Sequence, residues 1–444
     1  MPKTTKKTAG AAGAKPSLAA LSATEIARRI ARSETTAEAV VGACLERIIE
    51  RDGAVRAWAS LDAARVLAEA RSSDEAPRGG RGLLHGVPFG VKDIIETIDL
   101  PTGYGSPIWT GNRTTIDAPA VALPRAAGAI VLGKTVTSEF ASLAPTVTRN
   151  PHDLSRIPAP SSAGSAAAVA DGQVPIALGT QTGGSILRPA SFCGCIGFKP
   201  TYATINSAGV KPAIPSIDTI GLLAREIDDC ELFMAVLTSQ PPRIGETLSG
   251  APRVGICRTH LWDKAEPATK AAIEDTAARL ARADARIAEV TLPADFAGLH
   301  GARLTLNNVD RALAYSHEWR TARSGISAGM RDVIEAGLRT PRAEYVAALR
   351  HLEHCRAQLD TLFDGLDVIV VPCVAGEAIP PTAPIADPGF QELWTMLHTP
   401  AISLPTHKGP AGLPVGVQLV APRWQDEKLL VVSRWVLEKL GPAS

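Results

Sequence analysis

PAPSSAGSAAAVADGQVPIALGTQTGGSILRPASFCGCIGFKP, residues 158–200, sets two clusters of Ser and Gly on either side of an apolar run. Ser165 to Ala170 reads as a helix and Val174 to Leu178 as a buried strand. The same alternation continues upstream, with strand-like runs at Val87 to Val91 and Ala129 to Leu132 and a helical stretch at Ala118 to Ala127. Strands alternating with helices are the mark of an α/β sheet covered by helices.

Outward from that segment, residues 17–70 read as helices. Ser22 with Glu25, and Thr35 with Glu38, have the spacing of a capping box. A Gly-rich loop follows from Arg71 to Gly82. Between about 225 and 360 the chain reads as mostly helical, interrupted by a strand at Arg253 to Cys257. A further apolar run, Asp367 to Val371, precedes a tail that reads as strand, Gly-Pro turn, strand and helix. With α/β texture at both ends, the reading is a single large domain with a helical excursion. Its parts are a basic, solvated tail at 1–16, N-terminal helices at 17–80, a core at 81–235, a mostly helical region at 236–366, and strands and a helix returning to the core at 367–444. There is no internal repeat of fixed period.

Composition narrows the function classes. The chain has 444 residues and a formal net charge of +1, so neither nucleic acid nor an anionic membrane surface is the default partner. Hydrophobic residues at 45% and charged residues at 20% exclude a disordered chain. No apolar run of about 18 residues exists to form a membrane span. The seven cysteines, odd in number and scattered, argue against a disulfide framework and for a cytoplasmic location.

Three patterns resemble sites and are set aside. Gly128 to Thr135 fits the P-loop pattern, but its middle residues Ala-Ile-Val-Leu favour a buried strand over a phosphate cradle. His351 and His354 have metal-ligand spacing without a companion cluster, and read as a solvated helix face. Cys193 and Cys195 read as small buried thiols. G-x-G-x-x-G is absent from the sequence.

The chemistry lies between the two Ser/Gly clusters. A Ser hydroxyl needs a base to become a nucleophile. A Gly-Gly pair before it, Gly183 and Gly184, gives the backbone unusual freedom, so that several N–H groups can converge on one point. The alternative is a plain Ser/Gly-rich turn.

Gly179 to Ser185 (GTQTGGS), Pro160 to Ser165 (PSSAGS) and Gly86 to Asp93 (GVPFGVKD) resemble the nucleophile loop, the upstream serine loop and the lysine motif of the amidase signature family. Asp117 to Phe140, Cys193 to Thr201, Ser216 to Arg225 and Pro400 to Pro422 are also similar to family stretches. The resemblance implies the family's fold, a mixed central β-sheet covered by helices on both faces. It implies Ser185 as nucleophile, Ser161 as a bridging serine on a cis peptide bond, and Lys92 as base. The backbone of Thr182, Gly183 and Gly184 matches the oxyanion hole, with Ser162 and Thr180 as supporting hydrogen-bond partners.

The GTQTGGSILRP form is similar to the malonamidase branch, which implies that Arg188 grips a substrate carboxylate, with Gln181 beside it; the alternative is a structural Arg188 paired with a protein carboxylate. No cofactor and no metal are implied, and the partner expected is a small-molecule amide. A homodimer would be ordinary for the family.

The lysine gives this a physical requirement. A free Lys has a pKa of about 10.4 and is useless as a base at pH 7, so Lys92 must be buried to lose its charge. Its neighbours Val87, Pro88, Phe89, Val91, Ile94 and Ile95 are apolar. The expected activity is hydrolysis of a small amide through an acyl-enzyme. Two alternatives remain open: the glutamine-hydrolysing subunit of a tRNA-dependent amidotransferase, and a non-catalytic family member.

Overall fold

Eleven strands form among the described residues, most of them on apolar and β-branched runs, and all of them join one sheet. The computed structural model describes residues 17–383 and 389–441; the tail assigned to 1–16 lies outside them. In chain order the strands are β1 (Trp58–Leu61), β2 (Pro88–Lys92), β3 (Ile130–Thr135), β4 (Ile176–Gln181), β5 (Ile196–Lys199), β6 (Thr219–Ala224), β7 (Arg253–Ile256), β8 (Arg286–Glu289), β9 (Val368–Pro372), β10 (Ala401–Lys408) and β11 (Pro414–Val420). Their order across the sheet is β1-β3-β2-β4-β6-β5-β10-β11-β9-β7-β8.

The sheet is mixed. β2 runs parallel to both its neighbours, β3 and β4, whereas β6, β5, β10 and β11 alternate in direction. Successive side chains on a strand point to opposite faces. Every residue of β2, β3, β4, β5, β6, β9 and β11 is buried, so helices cover both faces there. The fold is thus the single-domain α/β architecture expected.

The strands β1, β5, β6 and β8 were not anticipated. The side chains of β1 and β8 are mostly part-exposed or exposed and these two sit at the sheet edges, so no apolar run announces them. Gly128 to Thr135 does carry a buried strand. Lys134 Nζ lies 2.7 Å from Ile95 O and 2.6 Å from Thr102 Oγ1, inside the protein.

Helix starts follow local chemistry with one shift. Ser22 Oγ accepts from Glu25 N at 3.2 Å, but the Glu25 carboxylate turns to Arg28 and Arg29 and does not close the box. The next cap is Thr36, not Thr35: its Oγ1 accepts from Ala39 N at 3.1 Å. His354 is exposed and meets Asp295, but its neighbour Cys355 turns into the core, so the histidine-bearing helix is not wholly a solvated face.

Candidate active site

Two parallel strands deliver the polar residues. β2 and β4 are paired from Phe89 opposite Ile176 to Val91 opposite Leu178, so Lys92 and Thr180 leave the sheet at the same edge. Carboxyl ends of neighbouring parallel strands are where open α/β sheets place ligands. The helix Ala163–Ala170 runs beside them, and its start carries Ser161 and Ser162 into the same place. Its close approach requires glycine: a Cβ at Gly164 would lie 2.2 Å from Ala57 O and 2.3 Å from Val136 N.

Lys92 is fully buried. Its Nζ lies 2.7 Å from Ser161 Oγ, 2.7 Å from Thr180 Oγ1 and 3.4 Å from Thr180 O. No carboxylate pairs with it among the described residues. Burial holds its pKa well below the ordinary lysine value; Asp218 opposes this and Arg311 reinforces it. The burial that the sequence reading required is present, and its direction is the one a base needs: it favours the uncharged amine next to a hydroxyl. Ser162 Oγ donates to Thr180 O at 3.3 Å, tying the two loops together.

The peptide bonds of the described residues are all trans, where the resemblance implied a cis bond at Ser161. The turn is made instead by left-handed conformations at Ala159, φ 80°, and Ser161, φ 75°.

The loop from Thr182 to Ser185 links β4 to the helix Leu187–Cys193. Gly183 and Gly184 do not adopt positive φ, so the expected role of conformational freedom is replaced by one of space. A Cβ at Gly184 would lie 2.5 Å from Gln391 Oε1 and 3.1 Å from Arg188 Nη2. Among the described residues, no protein acceptor takes the N–H groups of Gly183, Gly184 or Ser185. Ser185 is half-buried and lines a cavity of about 560 Å³ with Thr182, Gly183, Gly184 and Arg188. No hydrogen bond joins its hydroxyl to Ser161 among the described residues, so Lys92 and Ser161 are in contact while Ser185 stands apart on the cavity wall. Such contacts often tighten only when substrate is bound.

Gln181 does not line this cavity. Its Oε1 accepts from Ile186 N at 2.9 Å and Leu187 N at 3.1 Å, and its Nε2 donates to Thr395 Oγ1 at 2.9 Å. It therefore holds the loop, and it is buried off the cavity wall where the expected substrate contact would be. Sequence reasoning missed three further supports. Thr395 Oγ1 donates to Gly183 O at 2.7 Å, and Gln391 bonds Cys373 O, both from the helix Gly389–Met396. Asp218 accepts from Thr182 Oγ1 at 2.5 Å and from Ala213 N and Ile214 N. Asp218 had a signal, a carboxylate just before an apolar strand; Thr395, some 200 residues from the loop carbonyl it holds, and Gln391, which holds Cys373 O, had none.

The family model for amidases matches residues 39–430. The chain belongs to the amidase signature family. As an amidase it is an enzyme that acts on amide C–N bonds. It is 33% identical to the A subunit of glutamyl-tRNA(Gln) amidotransferase from Chloroflexus aggregans, over 91% of this chain and 93% of that one. The corresponding protein of Symbiobacterium thermophilum is 31% identical, over 95% and 96%. Among solved structures, an amidase superposes with a TM-score of 0.88 at 29% identity, covering 95% of this chain and 100% of that one. The peptide amidase of Stenotrophomonas maltophilia superposes at 0.81 with 26% identity, covering 95% and 97%. No helix among the described residues is long and apolar enough to cross a membrane.

Proposed function

We propose that this amidase hydrolyses small amides through an acyl-enzyme on Ser185, with Ser161 as proton bridge and Lys92 as base. The observation that carries this is a fully buried lysine amine 2.7 Å from Ser161 Oγ with no carboxylate pair among the described residues. Ser185 Oγ attacks the carbonyl and its proton passes through Ser161 to Lys92. The oxyanion is held by the loop N–H groups that no protein acceptor uses among the described residues. The same proton returns to the leaving amine or ammonia, and water then releases the acid.

Ser185→Ala is expected to abolish turnover and labelling by a fluorophosphonate probe, with the thermal melt unchanged. Wild-type turnover in that variant would remove Ser185 from the mechanism. Absence of labelling in the unsubstituted protein would favour a non-catalytic member.

The similarity to the A subunits of glutamyl-tRNA(Gln) amidotransferases supports a second reading, in which the chain frees ammonia from glutamine beside partner subunits. The purified chain alone separates the two. Turnover of simple amides without partners supports the first; glutamine hydrolysis that appears only on adding the other subunits of such an enzyme supports the second.

A further inference from the structure

The cavity at Ser185 is also lined by Arg303 and Arg311, both from the helix Leu299–Ala314. Their charges are placed differently. Arg303 Nε lies 2.7 Å from Glu392 Oε2, so its charge is balanced within the protein. Arg311 is 4% exposed and meets only neutral acceptors. Its Nε donates to Asn307 Oδ1 at 2.9 Å, and its Nη1 donates to Phe140 O at 3.0 Å and Tyr315 OH at 3.2 Å. Among the described residues its Nη2 bonds nothing and no carboxylate forms an ion pair with it. Asp218 is near enough to feel its charge, but its two oxygens are taken by Thr182, Ala213 and Ile214.

A guanidinium removed from water with neutral partners only is costly, and a buried charge of this kind is ordinarily matched by an opposite one. Asp218 offsets part of this charge from a distance, and the Nη2 edge that no protein group bonds among the described residues is left for an anion entering the cavity. Its volume, about 560 Å³, suits a small molecule. Asn307, Asn308 and Ser327 add neutral polar groups to the same wall.

We infer that the cavity takes amides bearing a carboxylate remote from the scissile bond, and that Arg311 receives that carboxylate. This rests on the amidase reading of Ser185. Arg188, to which the resemblance gave a carboxylate clamp, lines the same cavity, but the inference needs nothing from it. The three hydrogen bonds of Arg311 fix its fork before substrate arrives, which favours a charge-assisted contact.

The test compares ω-amide acids with neutral diamides of equal length: malonamate, succinamate, glutaramate and adipamate against malonamide, succinamide, glutaramide and adipamide. At the best-fitting length, kcat/KM for the acid is expected to exceed that for the diamide by about tenfold or more. Arg311→Gln is expected to lower that ratio by about tenfold, mainly through KM, and Arg311→Lys to lower it less. A ratio at or below one at every length in the unsubstituted protein overturns the inference without recourse to a variant. An unchanged ratio in a folded Arg311→Gln protein does so too.

If no amide reacts and the fluorophosphonate probe leaves Ser185 unlabelled, the amidase reading fails. Calorimetric titration with succinate and glutarate then decides the pocket by itself. Binding that Arg311→Gln removes sustains it, and no binding to the unsubstituted protein overturns it.

Discussion

Lys92 shows how one residue's chemistry is made by its surroundings. The amine is a base only where water has been taken from it, and β2 places it in an interior that also supplies two hydroxyls. Activity should therefore rise with pH through the lysine's lowered pKa and stay flat above it, because the uncharged amine is the working form. A kcat/KM profile without such a limb, or one that Lys92→Ala leaves in place, would dismiss Lys92 as base. The same shift has a thermodynamic counterpart. In the unfolded chain Lys92 keeps a proton up to about pH 10.4, while the folded protein releases it earlier. Between those two pKa values the unfolded state binds more protons, so stability rises with pH. Lys92→Met removes this contribution but leaves the buried Lys134 and Lys199 in both proteins. The stability of wild type minus that of Lys92→Met, from urea melts, should grow between pH 7 and pH 10. A difference that is constant or shrinks over that range would mean that Lys92 is charged in the folded protein. At Gly184 the constraint is steric. A methyl group there must displace the Gln391 amide, an overpacking that costs about 1–3 kcal/mol, and it moves the N–H groups proposed to hold the oxyanion. Gly184→Ala should lose about 10²-fold in kcat, the scale of one lost donor, with little change in KM.

At the scale of the element, the loop between β4 and the helix Leu187–Cys193 is held from behind. Gln181 satisfies two N–H groups at the start of that helix and reaches Thr395, which in turn bonds Gly183 O. Gln181→Ala leaves those buried groups without partners, at about 1–3 kcal/mol each. The expected result is a lower melting temperature together with a fall in kcat larger than the rise in KM, since the loop's alignment is what is lost. A melting temperature and kcat both at wild-type values would show that the loop is held by other contacts. These supports also mark how far the sequence could be read. Lys92 and the serines stand in short motifs whose chemistry is local, and apolar runs announced β2, β3, β4, β7 and β9, while β5 and β6 were noticed only as stretches resembling the family. The weakly apolar edge strands β1 and β8 carried no such pattern. Gln181 was misjudged as a substrate contact because the two N–H groups it accepts from are fixed by the turn of the chain, not by side-chain identity. Thr395 and Gln391 act across more than 200 and about 20 residues respectively, on backbone carbonyls, and a carbonyl leaves no trace in a sequence.

Across the whole molecule, chain order and sheet order diverge, and this binds the protein into one unit. The strands up to β6 form one wing, β1-β3-β2-β4-β6-β5, and β9-β7-β8 forms the other. Only β10 and β11, the last two strands of the chain, join them: β10 pairs with β5, and β11 with β9. Both joining strands lie in the middle of the sheet, and β11 is buried at every position. The residues proposed as catalytic lie in the first wing, yet the helix that braces their loop, Gly389–Met396, comes just before β10. A chain ended at residue 399 keeps Lys92, Ser161 and Ser185 but exposes the apolar edge of β5 and cuts the second wing loose. Unpaired apolar edges of this kind aggregate. The truncated chain is expected to be insoluble, or soluble without a cooperative melt and without fluorophosphonate labelling at Ser185. Should it instead melt cooperatively and label at Ser185, the first wing would be an autonomous folding unit, and β10 and β11 would be an addition to the core, not its seam.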